Sequence, residues 1–249
     1  MELVNVAPVY EDRLVAFVDL LGFSNKVASS GRGENLSEIF GVINDYSSEN
    51  WLRSLFSGFS RGDKQPLQGE DYIQLQDRYP ILVTQFSDSF VFSARLADEH
   101  ACRYFPFLLG GLIEKSLEYG FLVRGGVAAG QLIHHSNGPL FGPAFLKAYE
   151  LESKMAVYGR IIFDTSALAH VKPYVNSESF LERAEDDLHE LTLASYLFEK
   201  LSSYPGRKEK ISEALVRIND LLAKQSVGGS VAQKYEYIKT KLSAKLRLC

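Results

Sequence analysis

Residues 13–22 read RLVAFVDLLG, and this stretch decides the fold. Its centre, LVAFVDLL, is apolar except for Asp19. A short continuous apolar run of this kind reads as a strand buried on both faces. Gly22-Phe23-Ser24 then makes a turn, and Ser24 is placed to cap a helix starting near Asn25. Helical periodicity follows over Asn35–Arg53 through Ile39, Val42, Ile43 and Tyr46. Residues 58–78 are rich in Gly, Asp, Lys and Gln and read as a surface insertion.

Further along, Pro80–Ser93 is PILVTQFSDSFVFS, two apolar runs around Ser87-Asp88-Ser89. That is the pattern of a hairpin with an acid at its tip. Asp98–Tyr119 reads as a helix, Phe121–His134 as a second hairpin containing Gly125, Gly126 and Gly130, Phe145–Met155 as a helix and Arg160–Asp164 as a strand. The order βα–ββ–α–ββ–α–β implies an α+β sandwich with a mostly antiparallel sheet, close to a ferredoxin-like arrangement. Beyond Phe180, three helices are expected: Glu182–Leu201, Lys208–Gln225 and Ser230–Leu248. The expected division is residues 1–180 as one unit and 181–249 as a helical extension.

The composition excludes several classes of function. The 249 residues are 46% hydrophobic and 23% charged, with a net charge of −4. That is ordinary for a water-soluble globular chain and gives no basic footprint for nucleic acid. No apolar run reaches the ~18 residues of a membrane helix. The start, with three acids among its first 12 residues, is unlike a signal peptide, so a cytoplasmic location is expected. Two cysteines, Cys102 and Cys249, make no disulfide framework. Residues 207–249 hold ten Lys/Arg and four Asp/Glu, which reads as solvated helix faces. His134-His135 reads as surface loop, since adjacent strand residues point to opposite faces and do not chelate together.

A lone carboxylate inside an apolar strand costs several kcal/mol unless a cation or a proton neutralises it. Asp19 closes its apolar run and Asp88 sits at a hairpin tip. If the two strands are neighbours, both acids converge at one sheet edge. Hard oxygen ligands suit Mg²⁺ or Mn²⁺, which keep water and bind substrate phosphates. The helix start after Asp19 offers free N–H groups for phosphate. The bland alternative is a cap or turn aspartate.

Four segments, in order, resemble the catalytic domain of class III nucleotidyl cyclases. Phe17-Val18-Asp19-Leu20-Leu21-Gly22-Phe23 matches the family's F-x-D-x-x-G-F. Phe86-Ser87-Asp88-Ser89 matches its second acid. Arg124–Gly130, RGGVAAG, matches R-x-G-I-x-x-G, and Gly142–Glu152, GPAFLKAYELE, matches a glycine followed by a helix ending A-x-x-L-E. The resemblance covers roughly residues 13–165.

It implies two Mn²⁺ or Mg²⁺ ions per active site on Asp19, Asp88 and the Leu20 carbonyl. It implies phosphate contacts from the backbone of Leu21, Gly22, Phe23 and Ser24. It also implies a head-to-tail homodimer with active sites at the interface. The departures matter as much. Where the family reads purines, this chain has Thr84 and, near the second purine contact, Pro139. Where the family has its transition-state Asn and Arg, it has Leu146 and Glu150.

Arg124, Lys147 and Tyr149 are the candidate replacements. Their bland readings are a structural ion pair, a solvated face and a core aromatic. The departures resemble the pyrimidine cyclases of Pycsar antiphage systems, which make cyclic UMP or cyclic CMP for a separate effector. UTP and CTP stay unseparated, with a lean to UTP. A degenerate nucleotide-binding domain and a purine cyclase with unusual base contacts stay open as rivals.

Overall fold

The computed structural model describes residues 9–30, 36–47, 81–135, 138–175, 178–224 and 229–249. The expected insertion at 58–78 and the end of the helix expected to reach Arg53 lie outside these residues. In chain order the first elements are β1 (Glu11–Leu21), α1 (Phe23–Ser29), α2 (Leu36–Ser47), β2 (Ile81–Phe86), β3 (Ser89–Arg95), α3 (Glu99–Glu118) and β4 (Leu122–His134). Then come β5 (Leu140–Phe141), α4 (Pro143–Glu150) continued by a π-turn at Leu151–Met155, β6 (Ile161–Phe163) and α5 (Thr165–Val171). The chain closes with β7 (Glu182–Arg183), β8 (His189–Leu191), α6 (Leu193–Lys200), α7 (Arg207–Ala223) and α8 (Ser230–Leu246).

The sheet runs β2-β3-β1-β4-β6-β8-β7, with β5 attached to β4. Its pairs are antiparallel except β4–β6, so the expected α+β architecture with a mostly antiparallel sheet is the one observed. β1 lies between β3 and β4 and is buried along most of its length, as its apolar run requires.

Alternation along β1 sorts its side chains. Leu14, Ala16, Val18 and Leu20 enter one core with Phe90 and Phe92 of β3 and Phe105, Leu109 and Leu112 of α3. Val15 and Phe17 enter a smaller core on the other face with Val91, Ala128 and Leu132, beneath Ala144 and Ala148 of α4. Asp19 falls on this second face, under α4. α4 sits close because Gly126 lies beneath it. A Cβ there would stand 2.3 Å from the Ala148 carbonyl oxygen and 2.5 Å from Leu151 Cβ.

Four expectations need correction. Ser24 does not cap: α1 begins at Phe23, and its cap is Gly22 in the left-handed region at φ 87°, which glycine adopts without strain. Phe121–His134 is not a hairpin but one long strand, because Gly125 and Gly126 serve close packing and the pairing with β1 runs from Leu122 to Leu132. The helix expected over Glu182–Leu201 is two strands and then a helix. Asp187, at φ 64°, turns the chain between β7 and β8, and Thr192 with Ser195 forms the capping box that starts α6.

The basic tail is the fourth correction, since part of it is not solvated. Glu190 is fully buried, accepts from Arg160 (2.9 Å) and Tyr237 Oη (2.6 Å) and forms an ion pair with Lys241 (2.6 Å), and Lys245 pairs with Glu182. These bonds pin α8 to β8. Among the described residues, no helix is long and apolar enough to cross a membrane.

The contact beneath α4 gives a direct test. The atoms nearest a Cβ at Gly126 are mainly backbone, so relief requires lifting α4 off the sheet. Gly126→Ala is expected to cost about 1–3 kcal/mol of unfolding free energy in urea titration.

Candidate active site at the acid end of the sheet

The register of the three central strands assembles the site. Asp19 of β1 lies opposite Ser89 of β3 on one side and Arg124 of β4 on the other. Its Oδ1 accepts from Ser89 Oγ at 3.2 Å and its Oδ2 from Arg124 Nε at 3.2 Å. β2 and β3 form the expected hairpin. Its turn is Ser87-Asp88, with Ser87 at φ 55°. The Leu20 amide donates to the Asp88 carbonyl at 3.1 Å, which ties the hairpin tip to the end of β1. The two acids therefore do converge at one edge.

A third carboxylate joins them. Glu152, on the π-turn after α4, is only 3% exposed, and Arg124 Nε stands 2.6 Å from its Oε1. That contact is a charge pair without hydrogen-bond geometry, so Oε1 is buried with no hydrogen-bond partner among the described residues. Burial pushes Glu152 up to about 7 against the pull of Arg124, with Asp19 and Asp88 adding to the rise. Burial also raises Asp19, Arg124 opposes, and Asp88 raises it further. The three acids thus sense one another, and the site is short of positive charge.

The donors present fit a hard divalent ion. They are all oxygens, two of the acids are raised by burial, and one buried carboxylate oxygen has no hydrogen bond. Among the described residues, no three His, Cys, Asp or Glu side chains close on one point. Two carboxylates would therefore hold the ion, with water and phosphate completing its shell.

The other sequence candidates are spread around this centre. Leu20 and Leu21 are buried, Gly22 has open space where a Cβ would stand, Phe23 packs near Phe121, and Ser24 is exposed. α1 is anchored by Lys26, which donates to Glu38 (2.6 Å) and to the Tyr119 carbonyl (3.0 Å). Arg124 is in the site, but as an ion-pair hub. Tyr149 stands at 5.2 Å edge-on to Phe17 and is half exposed. Lys147 is exposed, 3.9 Å from Glu150.

Thr84 is already engaged within the chain. Its hydroxyl is hydrogen bonded to His134 Nε2 at 2.8 Å, and His134 Nδ1 to Ser93 Oγ at 2.8 Å. His134 is therefore buried and not in a surface loop. Burial, helped by Arg13, lowers it to about 4, so the ring bridges the two hydroxyls as the neutral imidazole.

Sequence reasoning missed Glu152. The signal was available: residues 144, 148 and 152 repeat every four positions, and the first two are the buried alanines.

No family model and no curated protein sequence matches the chain. Among solved structures, the chain is similar to the monomeric guanylyl cyclase domain of the RhoGC fusion protein from the aquatic fungus Blastocladiella emersonii. That likeness has 15% identity over 73% of this chain and 95% of that one, with a TM-score of 0.47. It is similar to the adenylyl cyclase CyaB from P. aeruginosa at 13% identity over 74% and 94% of the two chains, TM-score 0.43. A bacterial light-regulated adenylyl cyclase gives 17% identity over 83% and 100%, TM-score 0.43. Likenesses this distant carry no functional argument, and the chemistry has to come from the site's own residues.

Glu152 makes the site sensitive to pH. In the folded chain it keeps its proton to about 7, against 4.5 as the ordinary value. The folded state then binds more protons than the unfolded one between these values. Its contribution to stability is complete below about 4.5 and lost as the pH rises through about 7. With divalent ions chelated away, wild type is expected to lose on the order of 3 kcal/mol across that window relative to Glu152→Gln. Urea titrations at the two ends of the window measure the difference.

Proposed function

We propose that this protein is a class III nucleotidyl cyclase acting on a pyrimidine nucleoside triphosphate, UTP or CTP. The observation that carries the proposal is the convergence of Asp19 and Asp88 on adjacent strand ends, where burial raises Asp19 and leaves one oxygen of Glu152 without a hydrogen bond among the described residues. Asp19 and Asp88, with the Leu20 carbonyl, are the proposed ligands of two Mn²⁺ or Mg²⁺ ions. Bound ions would acidify the ribose 3′-hydroxyl and neutralise the triphosphate. The 3′-oxygen attacks the α-phosphorus in line, the bond from that phosphorus to the bridging oxygen breaks, and pyrophosphate leaves with its electrons. The hydroxyl proton passes to solvent. Positioning and charge supply most of the rate.

Backbone amides of Leu21–Ser24 are proposed to hold phosphate. Arg124 is proposed to act from its place beside Asp19, and Tyr149 and Lys147 from the exposed side of α4. The pyrimidine assignment rests on the absence of purine readers at Thr84 and Pro139. Thr84 is engaged by His134, which supports a small fixed contact at the base edge in place of a long charged one.

Leu146 and Tyr149 on α4 and Phe86 at the hairpin tip are exposed beside the site. They favour a second copy of the chain here, head to tail, with each interface completing an active site. The catalytic unit is placed in residues 1–180, with 181–249 as an extension that lends β7 and β8 to the same sheet. The resemblance to Pycsar cyclases supports a cytoplasmic role in antiphage defence, with the cyclic product read by a separate effector.

One observation favours a rival, a domain that binds nucleotide without chemistry. Arg124 already occupies one oxygen of Asp19. The assay that separates the readings incubates the protein with Mn²⁺ and each of the four nucleoside triphosphates. Release of pyrophosphate and a cyclic product identified by mass supports the cyclase, and binding without release supports the rival. Asp19→Asn and Asp88→Ala are each expected to lower kcat at least about 100-fold. The thermal midpoint of Asp88→Ala should be unchanged, because Asp88 sits part exposed in the hairpin turn, whereas Asp19→Asn should lower it, because it strips Arg124 of one charged partner.

A further inference from the structure

Lys234 is far along the chain from the acid site, yet the fold carries it there. α8 lies on the body through Ala232, Tyr235, Ile238 and Leu242. Ile238 rests against Gly159. A Cβ on that glycine would stand 3.3 Å from Ile238 Cγ1 and 3.4 Å from Leu122 Cδ1. Leu122 opens β4, two residues before Arg124, and the Gly125 amide donates to the Arg160 carbonyl at 3.0 Å. Ile238 therefore sits at the start of β4. Lys234 is one helical turn away on the same side of α8.

The helix cannot easily turn Lys234 aside. Tyr237 stacks on Tyr158 at 4.4 Å with rings 7° from parallel, and Lys241 and Lys245 are tied to Glu190 and Glu182. The electrostatics agree with this placement. Burial lowers the Lys234 ammonium, Arg124 pushes it the same way, and Asp19 and Glu152 push it back up. Among the described residues its Nζ has no hydrogen bond and no ion pair. It is a half-buried cation in the field of the site's acids, bonded to none of them.

We propose that Lys234 is a phosphate-binding residue of this site, supplied by the C-terminal helix of the same chain to the terminal phosphates of the nucleotide and to the departing pyrophosphate. This rests on the cyclase reading above. The α4 positions that carry Asn and Arg in the cyclases hold Leu146 and Glu150 here. Arg124 is committed to Asp19 and Glu152, and Lys147 stands exposed near Glu150. Negative charge builds on the leaving phosphates as the phosphorus–oxygen bond breaks. A compact ammonium held in a partly dry cleft stabilises it without reorganisation.

The test uses the full chain with Mn²⁺ and inorganic pyrophosphate in isothermal titration, alongside steady-state kinetics. Lys234→Met should weaken pyrophosphate binding about tenfold or more and lower kcat with it, at an unchanged thermal midpoint. Lys234→Arg should restore binding to within about threefold. Lys239→Met, which removes a partly exposed lysine of the same helix paired with Glu236, should match wild type. Lys234→Gln gives the same comparison should the Met variant not fold. Wild-type affinity in Lys234→Met or Lys234→Gln, from a protein that cyclises normally, overturns the role of Lys234 and leaves the cyclase reading standing. A wild-type protein that neither binds pyrophosphate nor releases it from any triphosphate overturns both.

Discussion

The carboxylate of Asp19 ends a strand that is otherwise apolar, and the cost of withdrawing that charge from water organises what surrounds it. Burial raises its pKa, and Arg124 from the neighbouring strand supplies the nearest compensation. Arg124 then needs to be held, and buried Glu152 holds it from the opposite side. Each step trades one desolvated charge for another, so none of the three groups is stable without its neighbours. Three carboxylates, Asp19, Asp88 and Glu152, stand against Arg124 and Lys234. A divalent ion is the kind of positive charge that such a cluster of carboxylates takes up.

This charge cluster is possible because the sheet has two unlike faces. The face under α3 is built from Leu14, Ala16, Val18, Leu20 and large side chains of β3 and α3. The face under α4 holds a smaller core, Val15, Phe17, Val91 and Ala128, and then gives way to Asp19. Gly126 lets α4 descend onto this face, and that descent brings Glu152 to Arg124. Packing and chemistry are coupled at that glycine.

The C-terminal helices belong to the same construction. Arg160, beside β6, pairs with buried Glu190 of β8, and Tyr237 and Lys241 of α8 complete the shell. A fully buried carboxylate with three partners is weak evidence for added stability, but it fixes one arrangement of helix on sheet. Here the fixed arrangement orients the whole of α8, including the half-turn that carries Lys234. In the same way, neutral His134 bridges Thr84 and Ser93 and ties the edge strand β2 and its neighbour β3 to β4 across β1.

The sequence by itself determined the buried strand with its odd acid, the hairpin with Asp88 in its turn, and a mostly antiparallel α+β sheet. These are local matters. An apolar run, a two-residue turn and a period of two are set by neighbours in the chain. It also showed Thr84, Pro139, Leu146 and Glu150 where the cyclases it resembles carry other residues. It misjudged β4, where glycines that serve close packing looked like a turn. It misjudged residues 182–191 too, where polar side chains that end up in ion pairs looked like part of a helix. Only the tertiary structure decided that Asp19 and Asp88 meet, that Glu152 and Lys234 join them, and that Arg124 is spoken for. Those facts depend on strand order and on which helix lies on which face. Contacts such as Asp19–Arg124, 105 positions apart, leave no periodic trace in either segment alone.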